Sequence, residues 1–284
     1  MQFKTVPRPK RSLGQHFLVD PNVARKIVHA FAPQPQDVVV EIGPGQGALT
    51  ALLAGNVRQL FAVELDRTLA AALADRFAGM PGVQVMEADF LSVELAALAP
   101  PQARLRVIGN IPYNISAPII FRVLDQAAVV EDMLLMLQKE VALRVVAGPG
   151  SKQYGPLAVH SQLLADVRLL FDVSPHVFRP RPKVDSAIVR WRFLAQPRFA
   201  VEDRALFARF VRAAFGQRRK VLRNALGRLC ERSFLAGLNE PLLALRAEQV
   251  GVGELVRLYN LLTPGIRGAN LATGQNRGHR PAQP

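Results

Sequence analysis

The chain is 284 residues long, half of them hydrophobic and 20% charged, which suffices for one large domain or a large and a small one and excludes a disordered chain. No run reaches the roughly 18 uninterrupted apolar residues of a membrane helix, and no apolar stretch follows Lys4, Arg8, Lys10 and Arg11, so the expectation is a cytoplasmic protein with neither a secretory leader nor a membrane partner. The net charge of +14 points instead to a polyanion as partner; the single cysteine, Cys230, excludes an internal disulfide and has no His or Cys at ligand spacing, so no metal site is expected.

In chain order, residues 1–20 form a basic N-terminal segment. Asp20 followed by Pro21 is an N-cap and a first helical residue, opening a helix to about Ala32. Strands and helices then alternate: strand Asp37 to Ile42, helix Gly47 to Gly55, strand Gln59 to Leu65, helix Arg67 to Ala78 and strand Val83 to Glu87. Strand Leu105 to Gly109, helix Ala117 to Ala127, strand Met133 to Leu137, and helices Glu140 to Ala147 and Leu157 to Leu164 follow. Arg168 to Val173 and Ser186 to Phe193 are strand-like with no helix between them. This alternation predicts an α/β fold over 21–196, a doubly wound, mainly parallel sheet with an antiparallel edge strand. From Val201 to Leu262 the pattern is of short helices broken by Gly216, Gly237, Pro241 and Gly251, so 197–262 is expected to be a small all-helical C-terminal domain. Residues 263–284, rich in Gly, Asn, Pro and Arg, are expected to be a disordered basic tail.

Charge is unevenly spread. Between Gln36 and Pro100 eight acids face three arginines, so the positive surplus lies at the N-terminus, around Arg179 to Lys183, and from Arg204 to Arg232.

The first strand runs into Gly43-Pro44-Gly45-Gln46-Gly47, and Glu64 ends the next. Gly43 and Gly45 let a turn pass close to a ligand, and an acid at that strand end can accept ribose hydroxyls. Gly43, Gly45 and Ala48 equally satisfy a dinucleotide fingerprint, so these residues alone leave a nicotinamide cofactor open. Glu41 would repel a pyrophosphate but suits a loop facing the cationic methionine end of a sulfonium cofactor. Asp89, after the third strand, falls at the same sheet edge and can accept from an adenine amino group.

The fourth strand ends in Asn110-Ile111-Pro112-Tyr113. An adenine N6 lone pair is delocalised into the ring and is a poor nucleophile. The Asn110 side-chain oxygen and the Ile111 carbonyl can each accept one N6 hydrogen, which pyramidalises the amine and frees the lone pair. Pro112 holds Ile111 out of the helical region and so aims its carbonyl into the site, and Tyr113 offers a ring for an extruded base, worth about 1–3 kcal/mol in single-stranded nucleic-acid sites. Phe178 is a candidate to stack on the other face of the base, with Arg179, Arg181 and Lys183 beside it to meet phosphates.

At this point the chain resembles the small-subunit ribosomal RNA adenine dimethyltransferases, relatives of the erythromycin-resistance rRNA methylases. The resemblance rests on Lys10-Arg11-Ser12-Leu13-Gly14-Gln15-His16-Phe17-Leu18, Glu41-Ile42-Gly43-Pro44-Gly45, Asn110-Ile111-Pro112-Tyr113 and Gln138-Lys139-Glu140-Val141-Ala142. It extends to Gly150-Ser151-Lys152-Gln153-Tyr154-Gly155 and Pro182-Lys183-Val184-Asp185-Ser186. It implies a Rossmann-like class I methyltransferase sheet, S-adenosyl-L-methionine as cofactor with S-adenosyl-L-homocysteine as product, and cofactor positions at His16, Leu18, Gly43, Glu64, Asp89 and Asn110. It also implies dimethylation of two adjacent adenines in the loop of the 3′-terminal hairpin of 16S rRNA, by a monomer acting on a pre-assembled 30S-type particle. The stretch Phe215 to Leu226 resembles the family's basic signature and makes Arg218, Arg219, Lys220 and Arg223 RNA-binding candidates; Ala225 departs from a frequent Asn. The rivals are a methylase of large-subunit rRNA and an RNA-binding assembly factor without catalysis.

Overall fold

A two-residue strand, β1 (Phe17–Leu18), precedes α1 (Pro21–Phe31). Asp20 caps that helix as its sequence dictates: Oδ1 accepts from the backbone N–H of Asn22 at 2.8 Å and Val23 at 3.1 Å, two donors with no partner inside the helix. The computed structural model describes residues 14–217 and 219–275, and divides the chain into two units, Met1–Val146 with Leu164–Gln196, and Ala147–Leu163 with Pro197–Pro284.

In the first unit the alternation continues as β2 (Val38–Ile42), α2 (Thr50–Leu53), β3 (Gln59–Glu64), α3 (Arg67–Arg76), β4 (Val83–Glu87), α4 (Leu95–Leu98) and β5 (Leu105–Asn110). Then come α5 (Ser116–Asp125), β6 (Val130–Gln138), α6 (Lys139–Val146), β7 (Ala165–Val173), β8 (Phe178–Arg179) and β9 (Ser186–Phe193). Seven strands form one sheet in the order β4-β3-β2-β5-β6-β9-β7. Strands β2 to β6 are parallel, and β2, Val-Val-Val-Glu-Ile, is buried at every position, as a strand covered on both faces must be. The reversal expected from the helix-free end of this unit is carried by β9, which pairs antiparallel with both β6 and β7 and lies one strand in from the edge. Succession runs outward in opposite directions from β2 and β5, so a crevice opens between their carboxyl ends. In register, Ile42 faces Val63 and Gly109, and Glu64 faces Glu87, which brings the acidic strand ends and Asn110 to one edge.

The opposite edge is locked by Arg106, which sequence patterning passes over as one more strand residue. Its guanidinium makes a bidentate pair with Asp132 (2.7 and 2.8 Å), a second ion pair with Asp37 (2.7 Å), and donates to the Ala32 and Phe31 carbonyls. It also lies 4.2 Å from the centre of the Phe31 ring. Desolvation disfavours its charge, but the two carboxylates outweigh that and hold its pKa above the usual arginine value. One side chain thus ties the end of α1 to β2, β5 and β6.

The second unit contains α7 (Pro156–Leu164), α8 (Arg204–Phe215), α9 (Leu222–Ala225), α10 (Arg232–Gly237) and α11 (Val252–Gln275). Its core is a ring cluster of Phe207, Phe210 and Tyr259, with centroids 5.2 to 6.1 Å apart. Cys230 is a buried filler there, its thiol pushed up to about 11 by burial. Two sequence expectations are corrected. The segment 147–163 belongs to this helical unit instead of running on in the first: Tyr154 packs edge-on against Phe215, His160 against Phe207, and Gly150 N–H donates to the Glu248 carbonyl at 2.7 Å. The expected disordered tail is helical from 263 to 275, since Leu262 and Ile266, one turn apart, are both buried and carry α11 past Pro264. Residues 276–284, like 1–13 of the basic N-terminal segment, lie outside the described residues. Among the described residues no helix is long and apolar enough to cross a membrane.

Replacing Arg106 by Met strands the buried carboxylate of Asp132 and the half-buried one of Asp37, so the variant should lose about 3–5 kcal/mol of stability in chemical denaturation. A loss under about 1 kcal/mol, the range of an exposed pair, would show that the network carries no such weight.

Candidate active site

The cleft at the carboxyl ends of β2, β3 and β5 is lined by the glycine loop 43–46, Glu41, Glu64, Asp89, residues 110–115 and the N-terminal segment 14–18. Leaving a fully buried strand, the chain can turn only where backbone rules relax: Gly43, Gly45 and Gly47 have φ of +63°, +58° and +76°, a region that disfavours side chains. Space excludes them as well. A Cβ on Gly45 would lie 3.0 Å from the Phe17 ring, and one on Gly47 2.8 Å from Leu73.

Glu64 holds this loop in place. Its Oε2 accepts the Gly45 N–H at 3.0 Å and its Oε1 the Asp66 N–H at 2.9 Å, leaving each oxygen a further lone pair for a hydroxyl donor. Burial raises its pKa, opposed by those backbone bonds. Glu41 is buried more deeply, 2% exposed, and its Oε2 has no hydrogen-bond partner among the described residues. Desolvation pushes its pKa up to about 7, with Thr50 opposing the shift and Glu64 adding to it. Asp89 spends one oxygen as a cap, accepting the Leu91 N–H at 2.9 Å, and also lines the cleft.

Asn110 ends β5, where Gly109 is obligatory because a Cβ there would meet the Ile42 carbonyl at 2.7 Å. The Asn110 Nδ2 donates to the His16 carbonyl at 3.0 Å, and its Oδ1 has no partner among the described residues. Ile111 follows the last β5–β6 pair, Asn110 with Met136, and so stands outside the ladder; Pro112, at φ −58° and ψ 134°, turns the chain away into α5. Tyr113 is fixed at both its face and its edge. Its ring stacks with that of His16, centroids 5.4 Å apart at 25°, and its hydroxyl shares a 2.6 Å hydrogen bond with Ser186. Burial raises its pKa, with Ser186 opposing. His16 Nδ1 lies 2.7 Å from the Pro180 carbonyl, and because a carbonyl only accepts, that nitrogen carries the hydrogen. Pairing of β1 with β8, Phe17 with Arg179 and Leu18 with Phe178, brings the N-terminal segment and the 178–180 loop together at the cleft.

Of the residues expected from sequence, His16, Leu18, Glu41, Gly43, Gly45, Glu64, Asp89, Asn110, Ile111, Pro112 and Tyr113 all line this one cleft. Phe178 does not. It is fully buried in the core with Leu18, Ile27 and Phe31, because its pairing with Leu18 turns it inward, and the base-stacking expected of it would need the ring to leave that core. Arg179, Arg181 and Lys183 are exposed, Arg179 bending back to the Phe178 carbonyl at 3.0 Å. In the second unit Arg219 and Lys220 are exposed, and Arg218 lies outside the described residues. Arg223 is committed elsewhere: its guanidinium donates to the Leu235 carbonyl and, at 3.3 Å, to that of Leu238, satisfying the end of α10. Ser186, the last residue of the matching segment Pro182 to Ser186, and Pro180 were given no site role from sequence; both reach the site through strand pairing.

The family model described as ribosomal RNA adenine dimethylase matches residues 7–263. The ribosomal RNA small subunit methyltransferase A of Xanthomonas oryzae pv. oryzae (strain PXO99A) is 49% identical over 253 residues, 89% of this chain and 95% of that protein. The protein of the same name from Xylella fastidiosa (strain 9a5c) is 46% identical over 254 residues, 88% and 95% of the two chains. Among solved structures, the 23S rRNA methyltransferase ErmE superposes with a TM-score of 0.63 at 28% identity, covering 85% of this chain and 99% of that one. A dimethyladenosine transferase from Plasmodium falciparum, with a TM-score of 0.72 at 23% identity over 88% and 98% of the chains, shares the fold. The chain belongs to the ribosomal RNA adenine dimethylase family.

Proposed function

We propose that the protein transfers methyl groups from S-adenosyl-L-methionine to N6 of adenine in small-subunit ribosomal RNA. The observation that carries this is the orientation of Asn110. With one of its two amide N–H groups bound to the His16 carbonyl, the carboxamide is fixed in orientation and its oxygen is left as an open acceptor, the group that an amino donor needs. The Ile111 carbonyl, beyond the sheet ladder, is the second acceptor. Together they draw both N6 protons away from the ring plane and expose the lone pair. Tyr113, with one face against His16, offers the other to an extruded base.

The cleft fits the cofactor. The glycine loop leaves room for backbone approach, the Glu64 oxygens have lone pairs for ribose hydroxyls, and Asp89 can accept from the adenine amine through the oxygen it does not spend on Leu91. When bound, S-adenosyl-L-methionine supplies an electrophilic methyl and leaves as S-adenosyl-L-homocysteine. Holding the amine in line with that methyl is the residues' contribution, and such positioning supplies on the order of 7–11 kcal/mol. His16 and Leu18 close the cleft from the N-terminal side.

The acceptors are two adjacent adenines in the loop of the 3′-terminal hairpin of 16S rRNA, each methylated twice, within a pre-assembled 30S-type particle in the cytoplasm, by a monomer. Arg179, Arg181 and Lys183 in the first unit and Arg219 and Lys220 in the second meet phosphates, with Arg218 alongside in sequence. The relatives at 46–49% identity carry a small-subunit name, against 28% for the 23S enzyme, which favours the small subunit as substrate. Mass-spectrometric mapping after incubation with labelled cofactor and unmethylated subunits tests this. Label on two neighbouring adenines near the 3′ end of 16S rRNA is expected, and label on large-subunit rRNA would refute it.

Two outcomes are expected of variants. Asn110→Ala should lose about 10²–10³-fold in turnover, the scale of removing one well-placed polar contact to a reacting group, while cofactor binding measured by calorimetry weakens but persists. Near-normal turnover would remove the proposed role. Reversing the charges of Arg219 and Lys220 together should weaken subunit binding and reduce the slope of log K against log salt by about 2, as each lost phosphate contact releases one counterion fewer. An unchanged slope would show that these residues do not touch RNA.

A further inference from the structure

We infer that Glu41 discriminates cofactor from product by the charge on sulfur, its carboxylate favouring the sulfonium over the neutral thioether and its proton being exchanged with solvent as one replaces the other. This rests on the proposed methyl transfer from S-adenosyl-L-methionine. Glu41 is the penultimate residue of β2, two before Gly43, on the wall of the cleft, and Gly43 stands close enough to β5 that a Cβ there would lie 3.8 Å from the Asn110 carbonyl. Its in-register neighbours are apolar, Ala62 of β3 and Ile108 of β5; the charge acting on it is Glu64 of β3, of like sign, and the polar group beside it is Thr50 of α2. The buried Oε2 has no hydrogen-bond partner among the described residues. A buried carboxylate so placed is costly until a cation arrives, and with a pKa near 7 it is poised to lose its proton when one does.

Cofactor and product share the amino-acid ammonium and carboxylate and differ by one positive charge. Methyl transfer breaks the S–CH3 bond with its electron pair kept by sulfur, while the N6–CH3 bond forms and N6 gives up a proton. The charge that stabilised Glu41 as a carboxylate is then gone, and Glu41 takes a proton back from solvent. Product is thereby disfavoured relative to fresh cofactor wherever the carboxylate form is accessible, and the advantage fades in acid.

Isothermal titration of the full chain with S-adenosyl-L-methionine and with S-adenosyl-L-homocysteine, in buffers of different ionisation enthalpy between about pH 5.5 and about pH 8.5, tests this. The ratio of the two affinities should rise about tenfold in favour of the sulfonium with increasing pH, the effect of a one-unit change in one pKa, with proton release on binding cofactor only. Glu41→Gln should flatten the ratio. Because burial raises the folded-state pKa, the stability it confers is present in acid and lost as pH rises through about 7, so the wild-type Tm should fall relative to that of Glu41→Gln over that range. Equal proton release with both ligands would place Glu41 against their shared ammonium and overturn the inference, as would a ratio or a relative Tm independent of pH. Binding of neither ligand would overturn the proposed transfer itself.

Discussion

A carboxamide has one end that donates and one that accepts, and the hydrogen bond from Asn110 Nδ2 to the His16 carbonyl fixes how the two ends are turned and leaves the oxygen as an open acceptor. The rest of the site is arranged around that choice. The His16 carbonyl is held where it is because β1 pairs with β8 and the His16 ring is bonded to Pro180 and stacked on Tyr113. Asn110 is held because Gly109 allows β5 to lie close against β2. A short N-terminal strand and a loop near residue 180 thereby set the polarity of a side chain at the middle of the sheet.

The sheet has two unlike ends. At the amino ends of its strands the guanidinium of a buried arginine is saturated with carboxylates and carbonyls. At the carboxyl ends, Glu41 Oε2 and Asn110 Oδ1 are left without partners among the described residues. Saturated polar groups rigidify and unsaturated ones bind, so Arg106 stabilises the platform on which the open groups act.

What could be read from sequence was what depends on near neighbours. Asp20 with Pro21 announces a helix start, three glycines after an apolar run announce a tight turn, and Asn-Ile-Pro-Tyr announces itself by the conformation proline imposes. What escaped depends on partners far along the chain. Phe178 looks like an exposed loop aromatic until its pairing with Leu18 turns it into the core. Arg223 sits in a basic run, but helix carbonyls claim it. Residues 147–163 continue an α/β pattern in sequence, yet Tyr154 and His160 bury their rings against α8. Charge and periodicity say that a side chain can bind or be buried, and only pairing says with what.

The most direct test of the Asn110 geometry is a crystal structure of the full chain with S-adenosyl-L-homocysteine and adenosine. N6 should lie within hydrogen-bonding distance, about 2.7–3.2 Å, of both Asn110 Oδ1 and the Ile111 carbonyl, with Nδ2 still on His16. An adenosine amine turned toward any other group, or an Asn110 side chain released from His16 and facing out of the cleft, would contradict it.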